Sequence, residues 1–146
     1  MTLTRAEQDA RDELAAYTLR HGDLAFIHQH VVDASAAQHA TAETKPIAIA
    51  FALIGLYLHV ERGLSGRQVQ RAHIMLAKRS RHWPTFPLPE HRGAMTAIDV
   101  MAAPAGPERD RAIDAWCVAV WDAYREAAPA VVTLAREHGL HAWAAG

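Results

Sequence analysis

Apolar residues recur at helical spacing along most of the chain. Ile113, Trp116, Cys117, Val120, Trp121 and Tyr124 follow the i, i+3, i+4, i+7, i+8, i+11 order of one helix face. Leu24, Ile27, Val31 and Ala34 form a second stripe, with His28 at its edge. His39, eleven residues after His28, returns to nearly the same angle. From Pro46 to Val60 the chain is apolar nearly all round, interrupted only by His59, which predicts a buried central helix. Nowhere does a period of two run long enough for a strand.

Start and stop signals divide this pattern into elements. Thr4-x-x-Glu7 reads as a capping box opening a first helix, and Gly22 stops it. Asp23 then caps a second helix, expected over about 24–40. Pro46 sits in the first turn of the third, where a missing N–H costs nothing. Ser65-x-x-Gln68 opens a fourth that ends near Ser80, and Thr96-x-x-Asp99 opens a short one stopped before Pro104. Gly106-Pro107 opens the last long helix, which Pro129 kinks or splits and His138-Gly139 ends. Pro84, Pro87 and Pro89 forbid a helix between, yet Trp83, Phe86 and Leu88 are too apolar for a free linker. The prediction is an all-α compact bundle of five to six helices. One Pro-rich connection, about 81–95, packs across it, and the whole chain, 1–146, forms a single domain.

Charge and composition narrow the function classes. Fifteen Lys and Arg against 16 Asp and Glu give a net charge of −1, so no global field favours nucleic acid or an anionic membrane. Arg67, Arg71, Lys78, Arg79 and Arg81 make the fourth helix locally basic, which reads as a solvated face. The apolar run ending at Val60 is too short to span a bilayer, so no membrane partner is expected. The single cysteine, Cys117, excludes an internal disulfide and suits a reducing compartment. A cytoplasmic location follows as the expectation, with Cys117 an inert buried thiol within its apolar stripe.

Ten histidines in 146 residues are the unusual feature. Imidazole and carboxylate ligands converging from several helices are how bundles hold a divalent metal. Two His and one carboxylate suit iron, and three N/O ligands plus water suit zinc. His28, Asp33, Glu61 and His73 are the preferred ligand set, with His21, His39 and His59 as secondary candidates. Gln29, Gln70 and Tyr17 would stand behind them. His30 is placed further from the core than His28. No H-E-x-x-H, no E-x-x-H on one helix and no cysteine pair is present, so no motif names a reaction. The rival reading is a non-enzymatic ligand-binding or protein-interaction module, in which the same His, Asp and Gln residues form a buried hydrogen-bond network. Its partner would be a small molecule or a second copy of the chain. The sequence leaves open whether there is catalysis.

Several words of the chain point to a family. They are Tyr17-Thr18-Leu19-x-His21-Gly22-Asp23-x-x-Phe26-Ile27-His28-Gln29-x-Val31-Val32-Asp33, Ala37-Gln38-His39, Gly55-Leu56-Tyr57-Leu58, Gly66-x-x-Val69-Gln70-x-x-His73 and Trp83-Pro84. Together, over about Tyr17 to Trp121, they resemble a family of small bacterial proteins with a domain of unknown function. The resemblance implies a bacterial, cytoplasmic protein. It directs attention to His21, His28, Asp33, His39, Glu61 and His73, and carries no reaction, cofactor or partner with it.

Overall fold

The computed structural model describes residues 3–20, 25–79 and 82–140. These form α1 (Arg5–Arg20), α2 (His28–Gln38), α3 (Pro46–Val60), α4 (Gly66–Arg79), α5 (Ala97–Ala102), α6 (Pro107–Ala123) and α7 (Ala128–Glu137), with no strand among them. The all-α prediction holds. The count is seven rather than five to six, because residues 124–127 divide the last long helix ahead of Pro129.

Capping chemistry sets most of the boundaries. The Glu7 amide donates to Thr4 Oγ1 at 3.1 Å. Ser65 and Gln68 bond reciprocally, N to Oε1 at 2.8 Å and N to Oγ at 3.2 Å. Thr96 and Asp99 complete a capping box at α5. The second helix departs from expectation: it starts at His28 rather than near residue 24. Phe26 has φ of 56°, which no right-handed helix accommodates, and the Ala25 carbonyl accepts from the Arg67 amide instead. Residues 21–24, with the expected stop at Gly22 and cap at Asp23, lie outside the described residues.

α2 and α3 form the centre. α2 packs on α1, α3, α4 and α6, and α3 packs also on α4, α6 and α7. Leu53, Ile54, Leu56 and Leu58 of α3 are buried with Trp116 and Val120 of α6 and Val131 of α7. No helix among the described residues is long and apolar enough to cross a membrane.

Residues 82–96 contain no helix and, as expected, pack across the bundle: Phe86 is buried and Trp83 and Leu88 are partly so. They also carry a group the sequence did not reveal. Arg92 is buried, and its Nη1 donates to the carbonyls of Ala37, Gln38 and Ala40 at 3.2, 3.1 and 2.9 Å. It therefore caps the C-terminus of α2 from another segment, where orphan carbonyls and the helix dipole both favour a cation. Gln38 Nε2 bonds back to the carbonyls of Arg92 and Met95, and Gln38 Oε1 accepts from Trp116 Nε1.

Candidate functional site

The expected ligands divide among separate surroundings. Asp33 is fully buried, and burial pushes its carboxyl well above the usual carboxylate range. Gln29, one turn earlier on α2, donates through Nε2 to Asp33 Oδ1 at 3.1 Å. The same nitrogen lies 3.4 Å from His73 Nδ1, while His73 Nε2 meets the Phe51 carbonyl at 2.8 Å. A carbonyl only accepts, so the His73 hydrogen sits on Nε2 and Nδ1 receives the amide. Burial lowers the His73 pKa, consistent with a neutral ring. Asp33, Gln29 and His73 thus form one chain linking α2, α4 and the Phe51 carbonyl of α3. Among the described residues Asp33 Oδ2 finds no partner, and it faces Gly55 of α3, where an added β-carbon would come within 2.0 Å of it. Only glycine lets α2 and α3 approach so closely.

Glu61 is exposed, and its Oε2 accepts from Trp121 Nε1 at 2.7 Å. It lies one residue beyond α3, where the side chain reaches water. His28 and His39 line a cleft of about 440 Å³ between α1 and α2, on the shared face expected from their spacing. Thr18 Oγ1 lies 3.2 and 3.0 Å from the Leu14 and Ala15 carbonyls and 2.9 Å from His28 Nδ1. One hydroxyl hydrogen cannot serve all three, and the His28 Nδ1 edge is engaged by Thr18 whichever group donates. His39 Nε2 stands 3.7 Å from Glu7 Oε2. Burial lowers the pKa of both His28 and His39. His21 lies outside the described residues. Among the described residues, no three of His, Cys, Asp and Glu are grouped so as to hold a metal ion.

A second cleft has a different character. It measures about 510 Å³, and its lining includes Ile27, His30, His59, Arg67, Arg71 and Asp114. His30, placed further from the core than His28 by the helical angle, is the more buried of the two, at 4% exposure. Its ring lies flat on His59, centroids 3.4 Å apart and planes 17° from parallel. The helical angle ranks faces of α2 alone, whereas the cover over His30 comes from His59 of α3.

His59 is held on both edges, Nδ1 against the Leu64 carbonyl at 3.0 Å and Nε2 against Asp114 Oδ1 at 2.9 Å. Both partners are acceptors, so the ring serves both only with a hydrogen on each nitrogen. Across the cleft, Arg67 lies over the Phe26 ring at 4.6 Å and bonds Gln70 Oε1 through Nη1 at 3.0 Å. Arg71, one turn further along α4, is exposed and has no partner among the described residues. The wall they stand on is tightly built: an added β-carbon at Gly66 would come within 1.8 Å of the Phe26 carbonyl oxygen.

Residues 8–125 match the model of DUF5946, a family of unknown function. The chain belongs to that family. The match contains both clefts, every sequence-predicted ligand and the words from Tyr17 to Trp121 that first suggested a family. No curated protein and no solved structure matches the chain significantly.

Proposed function

We propose that this DUF5946 protein is a ligand-binding module that takes a small anionic molecule in the cleft between α2, α3, α4 and α6. One observation carries this reading. Arg67 and Arg71 stand side by side on the α4 face of the cleft, while the carboxylate among its lining residues, Asp114, is bonded to His59. Cation therefore exceeds anion at a concave surface of the size that small ligands use. The amides at the start of α4 do not contribute. Those of Arg67, Gln68 and Val69 already bond the Ala25 carbonyl, Ser65 Oγ and the Ser65 carbonyl. Recognition falls to the side chains, whose guanidinium forks suit carboxylate or phosphate oxygens. Behind the cleft, the Asp33, Gln29 and His73 chain fixes how α2, α3 and α4 sit together.

The test is thermal unfolding in inorganic phosphate against chloride at equal ionic strength. Phosphate at ten times its dissociation constant should stabilise by about 1.4 kcal/mol, a rise of a few degrees in Tm. The Arg67→Ala/Arg71→Ala variant should lose that rise, measured against its own Tm in chloride. An equal phosphate effect in the variant, or none in the wild type, would overturn the reading.

A further inference from the structure

We infer that the anion in this cleft is a phosphate monoester attached to a planar ring, a mononucleotide-like molecule. The inference rests on the anion-binding reading and adds the ligand class. Two features of the cleft supply it.

The first is the pair of arginines. Residues one turn apart on a helix stand roughly 5–6 Å apart at their β-carbons, so the two guanidinium groups of Arg67 and Arg71 can reach one group together. A carboxylate offers two oxygens and is satisfied by one fork. A terminal phosphate offers three oxygens and two negative charges, and suits two forks.

The second is the histidine stack. His30 covers one face of His59. The Leu64 carbonyl and Asp114 hold the two nitrogen edges, so the ring cannot turn. The side chain keeps 18% exposure and lines the cleft. A flat, fixed aromatic face at the wall of a cleft is a platform on which a planar ring stacks without ordering the protein further. Ile27 lines the same cleft and gives that ring an apolar contact. The fixed ring and the paired arginines line one cleft, as a ring joined to a phosphate through a short linker requires.

Isothermal titration with five probes tests this: inorganic phosphate, ribose 5-phosphate, adenosine, adenosine 5′-monophosphate and pyridoxine 5′-phosphate. At least one of the two ring phosphates should bind tenfold or more tighter than both ribose 5-phosphate and adenosine. His59→Leu should remove that advantage, judged against ribose 5-phosphate binding to the same variant. Asp114→Ala, at an exposed position, loosens the ring clamp without touching the core and should reduce the advantage several-fold. Ring phosphates binding no tighter than ribose 5-phosphate would overturn the ring inference and leave the anion reading standing. Ring phosphates binding no tighter than adenosine would overturn the role given to the arginines. Silence from all four phosphates would overturn both readings.

Discussion

Two histidine-bearing regions of this molecule are built from similar residues and behave differently. Around Asp33, Gln29 and His73, three polar side chains are turned on one another and on a carbonyl, and the space between helices is closed to the point that Gly55 must lack a side chain. Around His30, His59 and Asp114 the same residue types border an open cleft, and Arg71 faces it without a partner among the described residues. The first arrangement holds helices; the second leaves charge to be satisfied from outside. What separates them is closure, which no residue type encodes by itself.

The largest effect should come from closing what is already closed. Gly55→Ala drives a β-carbon into Asp33 and should cost about 2–3 kcal/mol, despite alanine's better helix propensity. In an Asp33→Ala background the same substitution should cost much less, because its clash partner is gone. Urea unfolding of the four proteins gives the cycle. Strictly additive costs would mean the two positions do not press on each other.

Next in size is Gln29→Ala, which leaves Asp33 Oδ1 and His73 Nδ1 without their shared donor. A loss of roughly 1–2 kcal/mol follows from leaving buried groups unpaired. Arg71→Ala, on the open side of the comparison, should change stability by no more than about 0.5 kcal/mol. Equal losses for the two variants in unfolding experiments would erase the distinction between network and cleft.

The fold was largely readable from the chain, and the site was not. Capping boxes at Thr4, Ser65 and Thr96, prolines at 46 and 107, and the apolar run of α3 are local signals, and each element stands where they put it. Phe26 defeated the start of α2 because a positive φ at a phenylalanine is imposed by packing against α4 and leaves no mark in the pattern. Arg92 was invisible for the same reason: its partners are carbonyls more than fifty residues away. Gln29 was expected to stand behind the ligands and does bond Asp33, one turn along α2, whereas His30 needed the third dimension. The basic face of α4 was seen and read as solvated, and only the opposing His59 shows that two of its arginines border a cleft.

A pH effect sharpens the same contrast. Asp33 has its folded pKa raised well above that of an unfolded aspartate, so its contribution is fully present below about 3.8 and is lost as pH rises through the folded value. His28, His39 and His73 have theirs lowered, so their contribution is present above about 6.5 and is lost as pH falls. Asp33→Asn should therefore gain stability relative to the wild type as pH rises, by at most about 1.4 kcal/mol per unit. A difference independent of pH between 4 and 9 would show that Asp33 ionises freely.

The smallest effect should be that of added metal. Histidine ligates through a nitrogen lone pair, and in both regions the ring nitrogens are already engaged. His73 is held at Phe51 and Gln29, and His59 at Leu64 and Asp114. Binding a metal at either would first break those bonds, and Asp33, with Gln29 on one oxygen, would have to ionise in a buried place. His28 shares its cleft with His39, but among the described residues no third ligand is grouped with them. Zinc or iron(II) at equimolar concentration should thus move Tm by less than about 1 °C, below the few degrees expected from phosphate. Near-stoichiometric metal in protein purified without a chelating column, lost in a His28→Ala/His73→Ala variant, would restore the ligand set first suggested by the sequence. It would also mean that α2 and α4 rearrange to bring those two rings together.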